Sequence, residues 1–216
     1  MLDDNLLRVT HFAALAQFPP LPRFGETQLQ ELYVKIKQRH DYASFTSIQN
    51  GAKLFTEEVR DCLIARDRVR MSENIQTSFS MVKENFYDVF VTVKQELQIP
   101  VYFNTQYVLR ALWELNASYD SFNFIQSKLL RLQTEQLSLL GITPKDGGVR
   151  IACPQLPKRV HDFKIESFLQ NHKYLFIELQ SSFPPPIQQV KAFQEQMQEC
   201  YNFLFDNIRK LLQAVV

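Results

Sequence analysis

Glycine is scarce in this chain, with 5 residues among 216. The sequence contains no Gly-x-Gly-x-x-Gly or Gly-x-x-x-x-Gly-Lys motif, whose loops bind phosphates through backbone N–H groups. It also lacks a Gly-x-Ser-x-Gly nucleophile turn. The one glycine pair, Gly147-Gly148, follows Pro144 and Asp146 and is typical of a turn between a helix and a strand. These nucleotide-binding and hydrolase motifs are therefore excluded.

Cysteine is also rare, and the three residues Cys62, Cys153 and Cys200 lie far apart. No two of them have the spacing of a zinc site or of a redox Cys-x-x-Cys motif, and unpaired thiols suit a reducing compartment. No apolar run approaches the roughly 20 residues that a membrane-spanning helix requires. The acidic first five residues lack the features of a signal peptide. We therefore predict a cytoplasmic protein without a metal or other cofactor.

Neither sign of charge is in excess. Lys and Arg total 24 against 23 Asp and Glu, which gives a formal net charge of +1 at pH 7. Proteins that bind nucleic acids or anionic membrane surfaces normally carry clustered positive charge. The balance argues against both classes.

The chain is rich instead in apolar and aromatic residues. Hydrophobic residues make up 45% and aromatic residues 12%, with 18 phenylalanines against 1 tryptophan. Such a composition is typical of a globular protein that can bury a core, and it excludes a disordered chain. Most phenylalanines stand at helical or strand spacing, which predicts a place in the core or at a contact surface.

The first half of the chain alternates between strand and helix patterns. Apolar residues over 6–18 predict a strand, and a helix follows over 27–40. The turn signal Asn50-Gly51 lies within a stretch from about 43 to 72 that predicts four short strands. A long helix comes next, because apolar residues recur at spacings of three and four; they are Val82, Phe86, Val89, Phe90, Val93 and Leu97.

The second half repeats these patterns. Strict alternation of apolar and polar residues over 101–115 predicts one long strand, and its length predicts a bend or bulge inside it. The elements predicted after it are a helix over 122–139 closed by Gly141, three strands at about 149–153, 160–168 and 174–180, an extended Pro184-Pro185-Pro186 segment and a helix over 187–212.

The order of elements indicates an internal duplication: strand, helix, four strands, helix, and then strand, helix, three strands, helix. The two long helices align without a gap, with Glu84 on Glu199 for example, although any two amphipathic helices align on their period. We predict an α+β fold with one curved antiparallel sheet, the helices on one face, and half-repeats of about 1–99 and 100–216 in a single domain. This order resembles the saddle of the TATA-binding protein, and a resemblance of fold carries no function.

Several short segments follow another known pattern. They are the strand over 9–18 with Pro19-Pro20-Leu21-Pro22 after it, the helix end Lys37-Gln38-Arg39-His40 and the turn Ala65-Arg66-Asp67-Arg68-Val69. In these segments the chain resembles a sporadically distributed bacterial family of uncharacterised proteins. Tyr107-Val108-Leu109-Arg110 lies roughly where that family has an Arg-Tyr-Ile-Asn-Arg-like strand, with Gln106 and Leu109 replacing its first Arg and its Asn. The resemblance implies an α+β fold and no site.

Four arginines, Arg60, Arg66, Arg68 and Arg70, lie close together in the sequence. Arg68 and Arg70 share one face of a predicted strand, and a row of guanidinium groups binds phosphate or an acidic partner. Carboxylates are interleaved with them, namely Glu57, Glu58, Asp61, Asp67 and Glu73. The four arginines are therefore a candidate binding patch, and the alternative is a solvated sheet edge whose paired charges prevent aggregation.

Aromatic residues form a second candidate site. Tyr102, Tyr107 and Trp113 belong to the alternating strand and would suit an apolar pocket between the sheet and its helices. Phe203 falls outside the main apolar stripe of the last helix, and it widens the apolar arc. A wide arc on a terminal helix predicts an interface, for example with a second subunit.

These features leave three functions open. We favour a non-enzymatic binding protein, a homo-oligomer or the binder of another protein, that acts through its sheet or a helical face. No catalytic constellation is visible, because the neighbours His40-Asp41 and His161-Asp162 would point to opposite faces of a strand. The alternatives are nucleic-acid binding across a concave sheet, and a pocket for a small apolar ligand or an enzyme site between sheet and helices.

Overall fold

A computed structural model of the protein describes residues 7–115, 119–140, 146–155, 159–184 and 189–215. These residues form one open antiparallel sheet in the order β2-β3-β4-β5-β1-β6-β9-β8-β7. The strands are β1 (Leu7–Gln17), β2 (Ser44–Ile48), β3 (Gly51–Thr56), β4 (Arg60–Ala65), β5 (Arg68–Asn74), β6 (Asn104–Glu114), β7 (Gly148–Gln155), β8 (Arg159–Ser167) and β9 (Tyr174–Phe183).

Helices occupy the connections between the strands and the end of the chain. They are α1 (Glu26–Lys37), α2 (Phe79–Glu96), α3 (Ser121–Phe124), α4 (Thr134–Ser138), α5 (Lys191–Asn202) and α6 (Arg209–Ala214), with π-helical segments at Ile125–Leu129 and Phe203–Ile208. The predicted α+β class and the predicted order of elements in the two halves are confirmed.

The two halves meet at the centre of the molecule. In the sheet, β1 and β6 run antiparallel with Phe12 opposite Leu109. Above the sheet, α2 and α5 also run antiparallel, because the ring of Phe90 stacks on Phe193 at 4.6 Å and the ring of Phe79 stacks on Tyr201 at 4.5 Å. The halves are thus joined in both layers.

The core lies between the sheet and the helices, because one face of the interior strands is mainly apolar. In β6 the alternation predicted from the sequence is observed, with its core-facing side chains buried; they are Thr105, Tyr107, Leu109, Ala111 and Trp113. Side chains of α1, α2 and α5 complete this core, and Leu32, Phe86 and Phe193 are among them. Burial of each large apolar side chain stabilises the fold by about 1.5–3 kcal/mol.

The irregularities lie elsewhere than the sequence predicts. Of the bend or bulge predicted inside β6, the bulge is wrong: β6 pairs with β9 without a register shift, and the shift lies in β1 between Val9 and His11. The predicted helix over 122–139 is broken, because Arg131 has a positive φ of 53° and separates α3 with its π-helical segment from α4. The predicted cap Gly141 lies outside the described residues.

Candidate functional site

The side of the sheet opposite the helices, which we call the open face, is formed by the residues that alternate with the core. One row of directly paired residues crosses it from β3 to β7: Phe55, Asp61, Ser72, Ala13, Val108, Gln180, Asp162 and Ala152. The long helices α1, α2 and α5 all pack on the other side. Small apolar residues such as Ala13 and Val108 therefore lie half-exposed in the middle of a large, chemically mixed surface.

A cluster of paired charges occupies the second half of the open face. The Nε of Arg110 donates to Oε2 of Glu178 at 2.7 Å, and Nζ of Lys164 lies 3.7 Å from Oε1 of the same carboxylate. Burial acts to raise the pKa of Glu178, but the hydrogen bonds from Gln180 and Arg110 and the two positive charges outweigh it and hold that pKa below its usual value. Glu178 is therefore ionised at neutral pH.

The adjacent strands add a second pair. The Nε of Arg150 donates to Oδ1 of Asp162 at 3.0 Å, and its Nη2 donates to Oδ2. This hydrogen bonding, together with the charge of Arg150, lowers the pKa of Asp162. Lys164, Glu178 and Gln180 complete the rim of a depression of about 140 Å³. Positive and negative groups alternate there, so the surface carries little net charge.

The first half of the open face follows the same pattern. An Nη of Arg70 lies 3.6 Å from Oδ1 of Asp61, and Arg68 makes two hydrogen bonds of 2.8 Å to Asp67. Between the two halves lies Leu15, which is directly opposite Arg70 on one side and Gln106 on the other. Apolar side chains and ion pairs thus alternate on both halves of the open face.

The four arginines of the predicted patch do not come together. Arg60 points to the opposite face of the sheet, where an Nη lies 3.3 Å from Oε1 of the buried Glu73. The Nε of Arg66 donates to the carbonyl oxygen of Leu21 at 2.7 Å. Only Arg68 and Arg70 share the open face. Since β4 and β5 are interior strands, these charges do not lie at a sheet edge either.

The predicted aromatic site is mainly core. Tyr102, Tyr107 and Trp113 have no solvent-exposed surface, so they line no open pocket. The hydroxyl of Tyr107 donates to Oε1 of Gln196 at 2.9 Å, and burial raises its pKa well above the usual value. Phe203 is half-buried, and its ring stacks at 4.1 Å on the imidazole of His161. The structure therefore brings Phe203 to a polar cluster and separates it from the other three.

That cluster lies between β8, β9 and α5. Nδ1 of His161 is 2.7 Å from Oγ of Ser181, and its Nε2 is 3.6 Å from Oε1 of Glu199. Arg159 forms an ion pair with Glu199. A serine, a histidine and a carboxylate in this order resemble a hydrolytic triad. However, His161 and Ser181 are each only 1% exposed, so a substrate cannot reach them in this conformation.

The remaining titratable groups of the cluster are equally enclosed. Burial raises the pKa of the Cys200 thiol to about 12, which keeps it protonated and unreactive. Burial, assisted by the charge of Arg159, lowers the pKa of His161 to about 4. The neighbouring Asp162 lies on the open face, as the alternation predicts, and His40 contacts Asp88 at 2.9 Å.

Among the residues that the structure describes, no group of three or more His, Cys, Asp or Glu side chains could hold a metal ion. No helix in the described ranges is long and apolar enough to cross a membrane.

The sequence patterns missed the charge cluster of the open face. Arg110, Glu178 and Asp162 are far apart along the chain, and each one is an ordinary polar residue of an alternating strand. Their proximity depends on the register of β6, β9 and β8, which the sequence does not reveal. The polar side of the alternation over 101–115 was the one available signal, because it places Arg110 away from the core.

A comparison of the chain with known protein families and with curated proteins found no match in either.

Proposed function

We propose that this chain is a non-enzymatic protein-interaction protein that binds a protein partner through the open face of its sheet. One observation carries the proposal: the helices cover one side of the sheet and leave the other as a broad mosaic of half-exposed apolar residues and ion pairs. Protein interfaces combine these components, since apolar residues and arginines are enriched in their cores. The residues concerned include Ala13, Leu15, Val108, Arg110 and Arg70.

The electrostatics of this surface favour a protein over a nucleic acid. Arg70, Arg110 and Arg150 each contact a carboxylate, and so does Arg68 beside them. Binding to a phosphate backbone depends on positive charges that neutralise phosphates and release counterions, and a paired arginine must first give up its carboxylate. A protein partner needs only charges of opposite sign at matching positions, and the open face presents both positive and negative groups.

We include two further features in the proposal. The chain is cytoplasmic, which is supported by its three free cysteines. It also forms a homo-oligomer, because Leu139 and Leu140 are adjacent in the chain and both highly exposed, and contiguous exposed apolar surface marks sites of contact with another chain. The mass in solution should then exceed the 25.4 kDa of one chain.

Site-specific photo-crosslinking tests the open face. A benzophenone amino acid replaces Val108 at the centre of the open face, or Val34 on the outer side of α1, and each full-length protein is irradiated in the cells that express it. We expect a protein adduct from position 108 and none from position 34. Equal adducts at both positions, or no adduct at 108, would contradict the proposal.

A mobility-shift assay with the full-length chain tests the nucleic-acid alternative. Arg66 and Arg68 line a groove of about 460 Å³, so this groove is where a phosphate backbone would lie. We expect no mobility shift of DNA or RNA at low salt. A shift that weakens steeply with salt and is lost on Arg68→Ala would replace the protein partner with a nucleic acid.

A further inference from the structure

The two halves of the sheet differ by one strand. Counted outward from the central β1–β6 pair, the first half continues with β5, β4, β3 and β2, whereas the second half continues with β9, β8 and β7. β7 is thus the counterpart of β3. In the first half β2 pairs along β3, from Ser44 opposite Phe55 to Ile48 opposite Gly51. Among the described strands, β8 is the only partner of β7.

The missing strand leaves apolar surface uncovered. In β3 the core-facing Ala52 and Leu54 are both buried. In β7 the core-facing Ile151 lies opposite the buried Phe163, yet it is 36% exposed. At the end of α4, Leu139 is 85% exposed. An apolar strand edge with unpaired N–H and C=O groups is a template for strand addition.

We propose that a second copy of this chain occupies the β7 edge, so that two β7 strands pair antiparallel about a two-fold axis. This inference rests on the homo-oligomer part of the proposed function and assigns its interface. The same strand then serves both partners, as a two-fold interface requires. The dimer is a continuous sheet across two chains, and the two open faces lie side by side as one doubled binding surface.

The side chains of β7 are self-complementary in one register. With Ile151 opposite its own copy, Val149 lies opposite Cys153, and the core-facing side of the junction is apolar from position 149 to position 153. On the other side Arg150 lies opposite Ala152, so no like charges meet. A shift by one residue places Arg150 opposite its own copy, and directly opposed like charges destabilise a sheet. The charge pattern therefore excludes that register. The opposite shift, with Ala152 opposite its own copy, places Val149 opposite Gln155 and loses the apolar match of the first register.

A bound peptide from a different protein is the competing occupant. The apolar side chains favour the second copy, because in the first register Ile151 meets its own copy and Val149 meets Cys153, so each strand covers the apolar surface that the other exposes. Pro154 lies near the end of the strand, where its missing N–H removes at most one bond of the new ladder. The two occupants differ in one observable, since only the second copy yields a cross-link between identical residues.

Disulfide cross-linking tests this geometry. Ile151→Cys is made in a Cys153→Ser background of the full chain, where the remaining Cys62 and Cys200 are buried. Side chains directly opposite each other in an antiparallel pair have Cβ atoms about 4.5–5.5 Å apart, close to the span of a disulfide. We expect mild oxidation to convert most of this variant into a covalent dimer at micromolar concentration.

A matched variant lies on the other edge of the sheet. Ile48 on β2 is 41% exposed, similar to Ile151, so Ile48→Cys in the same background reports random collisions. This variant keeps the β7 interface and should form no covalent dimer on oxidation. Equal cross-linking of the two variants, or no dimer from Ile151→Cys, would overturn the β7 interface.

Light scattering separates this inference from the broader proposal. We expect the wild-type chain to have twice the mass of one chain at micromolar concentration, and Ile151→Lys to be monomeric with unchanged circular dichroism. A dimer that persists in Ile151→Lys overturns the β7 edge and keeps the homo-oligomer. A wild-type monomer overturns both. Binding through Val108 is tested independently by its photo-crosslink.

Discussion

His161 shows how one buried side chain changes the interpretation of a motif. In the sequence its neighbour is Asp162, but the two side chains point to opposite faces of β8, and His161 contacts Ser181 and Glu199 instead. Its Nε2 has no hydrogen bond among the described residues. A positive charge is unfavourable in this place because the imidazole is buried and Arg159 lies nearby.

This environment makes the stability depend on pH. The pKa of His161 is about 4 in the folded protein, against an unperturbed value of about 6.5 that applies to the unfolded chain. Above pH 6.5 the residue is neutral in both states and has no effect. As the pH falls from 6.5 to 4, only the unfolded chain binds the proton. The free energy of unfolding therefore decreases by up to about 1.4 kcal/mol for each pH unit.

Urea unfolding at pH 7 and pH 5 measures this effect. The contribution of His161 to the loss of stability is about 2 kcal/mol between these two pH values. His161→Gln has no group that titrates in this range, and it should therefore lose about that much less stability than the wild type. Identical pH dependence in the two proteins would mean that His161 binds a proton equally well in both states.

At the scale of elements, the contact between α2 and α5 connects the two halves. Phe193 is fully buried, with its ring stacked on Phe90 at 4.6 Å and an edge-to-face contact with Tyr102 at 5.0 Å. These aromatic contacts explain why Tyr102 is a core residue. Its chain neighbour Phe103 is 43% exposed. Both residues precede β6 and do not follow its alternation, in which the odd-numbered positions from Thr105 to Trp113 face the core.

Phe193→Ala should therefore be strongly destabilising. Removal of the ring leaves a cavity between α2, α5 and the sheet, and such truncations cost about 3–5 kcal/mol in the free energy of unfolding. Chemical denaturation measures the loss, and Val34→Ala on the exposed side of α1 is the matched control, with an expected change within about 0.5 kcal/mol. A loss below about 1 kcal/mol for Phe193→Ala would mean that the two helices do not pack tightly.

At the scale of the whole molecule, the question is whether the half-repeats form a single domain. The central β1–β6 pair and the α2–α5 contact both cross from one half to the other. Each half therefore buries part of its core only in the presence of the other. A single domain remains a prediction, and its consequence is one cooperative unfolding transition.

Tryptophan fluorescence can follow each half separately. Trp113 is the single tryptophan and reports on the second half, while Phe55→Trp in a Trp113→Phe background reports on the first. In each protein we expect the urea midpoint measured by tryptophan fluorescence to coincide with the urea midpoint measured by circular dichroism. A fluorescence midpoint that differs from the circular dichroism midpoint in either protein would instead define two domains, with a boundary near residue 100.

Much of the fold was predictable because it depends on local patterns. Alternation over 101–115 and helical spacing from Val82 to Leu97 each follow from one buried face, so both elements were found, although the strand begins only at Asn104. The broken helix after Phe122 was not predicted, since its apolar spacing continues through Arg131 while the backbone turns there. The positive φ of Arg131 has no signature in the sequence, because arginine rarely adopts it.

The candidate site was less predictable than the fold. Arg68 and Arg70 were placed correctly on one strand face, but the facing of Arg60 depends on the register between β4 and β5. Tyr102, Tyr107 and Trp113 were recognised as aromatic residues of one strand region, yet the sequence did not reveal that helices cover them. Only the packing of α2 and α5 decides that they are core.

The sequence by itself determined the class of fold, the order of its elements and the near-zero charge, because each depends on composition or on the period of a single segment. Only the tertiary structure decided which side of the sheet stays open, which arginines meet carboxylates there and which edge lacks a strand. These features arise from pairings such as Arg110 with Glu178 and from the absence of a described partner strand beyond β7. Side chains distant in the chain become neighbours only through strand register, and register is a property of the assembled sheet.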